Sequence, residues 1–275
     1  MKNVSLGKLI GMIKQRLLGF ATLLMAQNKV GILQYVFNNF RRIVFPVVTV
    51  YFLLQLFPLK NSTHANYFIY LYIGLFYLVF VISTAQKVIQ WFTLENQRGT
   101  IEAISITQVG IEGVIRYLLA FYLFFFFLFE APAYAIILKY FFGFNLWRHL
   151  GFSLFALVVL NVVLIYALTL LGVSMFLFFN IGTFNAGVQR SLFNLIAGAY
   201  CPISIFPAAL QVVSLALPFT HGLILFRKII TDKTAVGPMD FVPLALFSCG
   251  LLILGHFSLK YIIIYIQRKR CFLNY

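Results

Sequence analysis

The chain has 275 residues, of which 62% are hydrophobic and 10% charged. Soluble chains run about 45–50% apolar and about 25% charged, and a soluble domain of this size cannot hide 33 Phe and 15 Tyr along with its aliphatic residues. An ordinary water-soluble fold is therefore excluded, and the composition points to an all-α integral membrane protein. Lys and Arg number 21 against 6 Asp and Glu, a net charge of +15. These cations flank apolar runs, so they read as membrane-topology signals and not as a nucleic-acid surface. Cys201, Cys249 and Cys271 lie far apart and make neither a metal spacing nor a disulfide framework.

Residues 1–42 carry a helical stripe of Leu6, Ile10, Ile13, Leu17, Phe20 and Leu24, with Lys8, Lys14, Gln15 and Arg16 as polar surface. The long apolar run starts only at Ile43, which does not suit a cleavable signal peptide. The stripe predicts a basic amphipathic helix lying on the membrane interface, or else a helix packed on a soluble partner. The first span is expected over 43–57, between Arg41-Arg42 and Pro58. A short polar loop, Lys60 to Asn66, leads to a second span over 67–91. Trp91 suits a headgroup belt, and Lys87, one turn inside that end, is expected to snorkel.

A polar stretch, Thr93 to Glu112, follows. The third span is expected over 113–141, with four consecutive Phe at 124–127 and then Glu130 and Pro132. After a loop, Phe142 to Leu150, a fourth span covers 151–179. Asn180 to Gln189 is a Gly- and Asn-rich loop. A fifth span begins near Arg190 but does not end cleanly, because Pro202, Pro207 and Pro218 interrupt apolar sequence that continues to Ile230. Three prolines so spaced do not suit one straight helix. Half-spans that enter and leave the same face do. The sixth span covers 241–266, and residues 267–275 form a basic tail. This division places 15 of the 21 Lys and Arg on one side, which the positive-inside rule makes the cytoplasm for both termini.

Little catalytic chemistry is present. The chain has no phosphate-cradling G-x-x-x-x-G-K-[ST], no G-x-S-x-G and no H-E-x-x-H. His64, His149, His221 and His256 are scattered, which gives no metal spacing, and no catalytic residue is assigned. Glu130 is the only acid well inside a span. It either lines a substrate path or pairs with a basic neighbour or the outer headgroups. Facing intramembrane charges of the kind an ion-coupled pump needs are not evident, nor is an internal repeat, which counts against a secondary transporter. A lipid-modifying membrane enzyme would need a nucleophile, acid and base at one depth. The chain thus reads as a transport pathway whose energy comes from a partner. The stretch from Leu94 to Ile104 is either the contact for that partner or a solvated loop, and Thr100 is placed to cap a short helix starting at Ile101.

Glu95, Gly99, Thr100 and Glu102 match an E-x-x-x-G-T-x-E pattern. The later stretch has Pro207 within Phe206–Gln211, then Pro218 and Thr220 in a P-x-T step, then Arg227. Together these resemble the two signatures of the ABC-2 type family, the membrane subunits of ATP-driven exporters, nearer the drug- and lipid-exporting branch than the polysaccharide branch. The family often has more acidic residues before the Gly-Thr step, where this chain has Asn96 and Gln97. The resemblance implies one six-span domain over 1–275 that pairs with a second copy or a homologue. It implies two separate ATPase subunits that carry ATP and Mg, with no cofactor on this chain. It makes the stretch 93–112 a coupling loop docking on the ATPase. It makes 199–223 a re-entrant hairpin of two short helices on the outer face. The expected site is a prokaryotic cytoplasmic membrane. The expected cargo is an amphipathic or lipid-like molecule, with a lipid-linked glycan as the alternative.

Overall fold

In the computed structural model, residues 63–107, 109–142, 151–179, 192–231 and 236–269 are described. All lie within the compact unit Phe52–Tyr275. The amphipathic segment 1–42, the first span at 43–57 and the loops at 143–150 and 180–189 fall outside the described residues. Every regular element among the described residues is helical.

Helices α1 (Thr63–Leu78) and α2 (Thr84–Gln97) are joined by a π-helical turn, Val79–Ser83. The loop expected to run to Asn66 is thus already helical from Thr63. A short helix, α3 (Ile101–Ile106), leads into α4 (Gly110–Phe125). A second π turn, Phe126–Glu130, joins α4 to α5 (Ala131–Phe142). Its cause is local. Pro132 has no N–H and its ring crowds the carbonyl four residues back. One wider turn relieves this, and the Ala131 amide donates to Phe126 O, five residues back. Helix α6 (Phe152–Phe179) runs for 28 residues. A helical segment over 192–196, α7 (Ala208–Ala216) and α8 (Pro218–Thr231) follow. The last helix, α9 (Val242–Lys269), is again 28 residues. It takes in the first three residues of the expected tail.

Among the described residues, four helical stretches are long and apolar enough to cross a membrane: Ile69–Gln97, Gly110–Tyr140, Phe152–Phe179 and Pro238–Tyr265. Ala208–Ala216 and Pro218–Ile230 make a fifth if the pair, bent by 90°, counts as one span. The described residues are thus helical, and their long apolar helices are compatible with a multi-pass membrane protein. The four long stretches correspond to the expected second, third, fourth and sixth spans.

Close packing depends on small residues, as it does wherever lipid removes the hydrophobic drive between helices. A Cβ on Gly255 of α9 would stand 3.0 Å from Leu170 Cβ and 3.2 Å from Ala167 O of α6. One turn further, Ser258 Oγ donates to Ser174 Oγ at 3.2 Å. Gly172 of α6 receives Ile89 of α2, whose Cδ1 a Cβ would meet at 2.3 Å. The two π turns also face each other: the Phe80 ring lies 4.7 Å from Phe126 and 5.7 Å from Phe127. At the core, Tyr77 donates to Asn161 at 2.5 Å, and Asn161 donates to Leu157 O at 2.9 Å. Gly222 of α8 leaves room for this pair, since a Cβ there would fall 1.8 Å from the Tyr77 hydroxyl.

Candidate functional site

Glu95, Gly99 and Thr100 come together as one elbow. Helix α2 stops because Gly99 takes φ +71, a conformation that side chains with a Cβ disfavour. The Gly99 amide donates to Asn96 O at 3.0 Å and the Thr100 amide to Glu95 O at 3.1 Å. These two bonds are the paired signature of a Schellman helix end. The Thr100 hydroxyl then donates back, to Glu95 O at 3.0 Å and to the Glu95 carboxylate. Arg98 donates to the other carboxylate oxygen at 2.9 Å. Glu95 is only 2% exposed, so its charge is held inside the elbow and is not offered to a partner.

The role expected for Thr100 is therefore corrected. It occupies the N-cap position of α3, but its side chain makes no capping bond. Its hydroxyl is a donor to the preceding helix, because the Schellman end brings it directly over Glu95. Its carbonyl accepts from the Ile104 amide at 3.1 Å, which starts α3. Glu102 sits in the first turn of α3, and its side chain is outside the described set. The stretch 93–112, expected as a coupling loop, is largely helical. Residues 93–97 finish α2 and Gly110 already begins α4, leaving α3 and its two flanking turns. Ile101 is buried at 2%, while Ala103, Thr107 and Val109 are exposed.

The residues of the second signature sit in a different place. Pro207 precedes α7 with extended backbone, and its carbonyl accepts from the Gln211 amide at 3.0 Å. Pro218 opens α8, where its missing N–H costs nothing. Thr220, in the first turn of α8, is fully buried, and its hydroxyl has no hydrogen-bond partner among the described residues. The expected hairpin limits of 199–223 shift as well. Two helices do meet at a sharp bend, but they are Ala208–Ala216 and the longer Pro218–Thr231.

Arg227, two turns along α8 from Thr220, is 7% exposed and forms a clasp. Its guanidinium donates to Gly198 O at 2.9 Å, Ala199 O at 2.9 Å, the Tyr70 hydroxyl at 2.6 Å and, at the long end of the range, Tyr70 O at 3.3 Å. It also lies 3.5 Å from the Tyr70 ring centroid. Gly198 and Ala199 are themselves a second Schellman end. Gly198 has φ +76, its amide donates to Leu195 O at 3.1 Å, and the Ala199 amide donates to Asn194 O at 3.0 Å. A cation at the carbonyl end of a helix is favoured by the helix dipole. Gly74 of α1 completes the fit, because a Cβ there would stand 2.4 Å from Arg227 Nη2 and 2.9 Å from Ala199 O. The clasp ties α1, the 192–198 helix end and α8 together. Sequence reading finds Arg227 but misses Gly74 and Tyr70, whose only signal is a small residue within an aromatic run.

Glu130 takes the pairing alternative. It meets Lys87 at 2.8 Å, with the two side chains 3% and 10% exposed. Lys87 does not snorkel to the near end of its span, and an intramembrane charge pair exists where the sequence shows none. No group of three metal-ligating residues occurs among the described residues. Compared with models of known protein families the sequence matches none, and compared with curated proteins it matches none either.

Proposed function

We propose that the chain is the permease subunit of an ATP-driven exporter, moving an amphipathic or lipid-like cargo across a prokaryotic cytoplasmic membrane. The ATP and Mg belong to a separate ATPase subunit, and a second copy of the chain completes the pathway. Both termini and the α2–α3 elbow face the cytoplasm in this reading.

The observation that carries it is the elbow. A lever has to be stiff where it joins the moving span. Here α3 is coupled to the end of α2 by two backbone bonds and by the buried Glu95–Thr100 contact, and Ala103 on α3 remains exposed. A merely solvated loop has no need of a buried carboxylate to set its direction. The bent pair α7–α8, hung on α1 by Arg227, supplies the gate at the other signature.

The test is co-purification of the tagged chain with an ATPase encoded beside it. Thr100→Pro and Glu102→Lys leave the spans untouched and are expected to keep normal membrane levels. They lose the ATPase or uncouple hydrolysis from export. Normal complex yield and export in both variants sinks the reading.

A second reading is an ion-coupled carrier, favoured by the buried Lys87–Glu130 pair. It requires transport that follows an ion gradient without the ATPase and stops in Glu130→Gln.

A further inference from the structure

Helix α8 begins halfway along its neighbours. Tyr77 of α1 meets Asn161 of α6 and, further along, Ile89 of α2 meets Gly172, so the α1–α2 stretch and α6 run parallel. Gly255 of α9 meets Leu170 of α6 and, further along, Tyr265 lies 6.1 Å from Phe178, so α9 runs parallel to both. Helix α8 runs the other way: its Gly222 faces Tyr77, while its Arg227 reaches back to Tyr70. Its first residue is therefore its deepest.

Four neighbours fix that depth. At about 1.5 Å per residue, the Gly222–Tyr77 contact puts Pro218 about 18 Å from the Ile69 end of a stretch about 42 Å long. The Gly222–Asn161 contact puts it about 20 Å from the start of α6, itself about 40 Å long. The stacking of His221 on Phe247 puts it about 18 Å from Pro238, at the start of the last stretch. Phe226 touches Phe76, whose ring also meets Tyr134 and Phe126. That places Pro218 about 21–33 Å from the Tyr140 end of the antiparallel stretch, about 45 Å long. Helix α8 is thus a half-helix whose N-terminus lies near mid-depth.

A helix N-terminus carries about half a positive charge and amides without partners in their own helix. In a bilayer interior these need protein or a ligand to meet them. Here two hydroxyls join them. Thr220 is third in α8, and helical side chains lean toward the start of their helix. Its hydroxyl is 0% exposed and has no partner among the described residues. Ser248 of α9 follows Phe247, the residue stacked on His221, and its hydroxyl is as deeply buried and equally unmatched. The bend is held by other groups: the Thr220 amide donates to Leu217 O at 3.1 Å, and His221 Nε2 pairs with Leu215 O at 2.8 Å. Arg227, two turns on, shares the Thr220 face of α8 and adds positive potential. Helices α7, α8 and α9 contain no Asp or Glu.

We propose that the start of α8 is a mid-membrane binding site for a small monovalent anion of the halide class, held by the Thr220 and Ser248 hydroxyls and the helix terminus. The sign of the ligand follows from neutral donors, a helix N-terminus and a guanidinium, with no acid on the three helices. The size follows from burial: hydroxyls with no exposure reach an ion about as large as a water, not a phosphate head group. A monovalent ion also costs far less to desolvate at this depth than sulfate or phosphate. Bound there, the anion offsets the charge of the terminus and stabilises the 90° bend. The site needs no ATPase and is independent of the exporter reading.

The full chain is placed in phosphatidylcholine nanodiscs, and its thermal unfolding is followed as sodium gluconate is exchanged for sodium chloride at constant ionic strength. A saturable rise in Tm is expected with chloride and with bromide, and none with sulfate. Thr220→Val and Ser248→Ala each raise the half-saturating halide concentration by about tenfold or more, since each removes a hydrogen bond to a charged ligand. Thr220→Ser keeps the hydroxyl and stays within about threefold of the parent. In gluconate alone Thr220→Val is at least as stable as the parent, because it deletes a buried hydroxyl without a partner. Ser174→Ala removes a buried hydroxyl that already donates to Leu170 O, and leaves the halide response unchanged. The site is overturned by a parent Tm that does not distinguish halide from gluconate, or by a full halide response in Thr220→Val. Loss of stability by Thr220→Val in gluconate overturns it too, because the hydroxyl is then structural.

Discussion

Lys87 Nζ lies 2.8 Å from Glu130 Oε1 although 43 residues separate the two. Helix geometry explains the meeting. The ring pairs Phe80–Phe126 and Phe76–Tyr134 show that the α1–α2 and α4–α5 stretches run antiparallel. Side chains lean toward the N-terminus of their own helix, so Lys87 leans toward Ser83 and Glu130 toward Phe126, and they converge. A headgroup at the nearer end of α2 lies in the opposite direction. The Lys87 ammonium also stands 5.8 Å from the Tyr122 ring centroid.

Removing one member leaves the other charge buried, which costs about 3–5 kcal/mol. Lys87→Met and Glu130→Leu are each expected to lower thermal stability in detergent sharply. The double substitution recovers most of the loss, because two apolar side chains replace a desolvated pair. A double variant as unstable as the sum of the singles would mean the pair is not a unit.

The clasp gives a second expectation. Arg227→Ala removes charge-assisted hydrogen bonds to three backbone carbonyls and the Tyr70 hydroxyl, the well-formed ones each worth about 1.5–3 kcal/mol. Gly74→Ala forces the same guanidinium and Ala199 apart, since its Cβ meets both within 3 Å. Each single is expected to loosen the 192–199 region in limited proteolysis. The double is expected to be no worse than Arg227→Ala alone, because both act on one contact. Additive losses would place Gly74 in a separate role.

The long spans are legible in the sequence because apolar runs of 28 to 31 residues carry their own length signal. The elbow is legible in part. A Glu, a Gly and a Thr at fixed spacing mark a turn, but whether Thr100 caps the next helix or closes the last one depends on a backbone angle at Gly99 that no composition encodes. The Lys87–Glu130, Arg227–Tyr70 and His256–Glu112 contacts are tertiary, with partners 43, 157 and 144 positions apart. The proline spacing shows that no single straight helix runs through the expected fifth span. It does not place the 90° bend, which lies at Leu217 because Pro218 starts a new helix.

Orientation has a direct measurement. The basic-residue asymmetry leads to the expectation that the elbow is inside and the loop around Lys60 outside. In a chain without its native cysteines, Lys60→Cys is expected to react with an impermeant maleimide on intact cells. Ala103→Cys, exposed on α3, reacts only after the membrane is opened. The reverse pattern inverts the protein and removes the elbow from any cytoplasmic partner.

The elbow itself can be loosened without unfolding a span. Gly99→Ala has nothing within 4 Å of the new Cβ, so its cost is the φ +71 backbone alone, about 1–2 kcal/mol. Thr100→Val is close in shape but removes the hydroxyl that donates to Glu95, leaving a carboxylate at 2% exposure with the Arg98 guanidinium as its donor. A hydrogen bond to a buried charge contributes about 1.5–3 kcal/mol, so Thr100→Val is expected to raise amide exchange across Ile101–Ile106 by about tenfold or more. Glu95→Gln removes the charge that Arg98 and Thr100 share and is expected to act in the same direction. Exchange in α2 before Thr93 stays at the level of the parent protein, because α2 packs independently on α6 through Ile89 and Gly172. If the lever reading holds, ATPase stimulation by cargo falls in step with the loss of protection in α3 while membrane level is constant. Faster exchange with full stimulation would show that α3 needs no rigid mount, and unchanged exchange in Thr100→Val would show that the two backbone bonds of the Schellman end suffice to hold it.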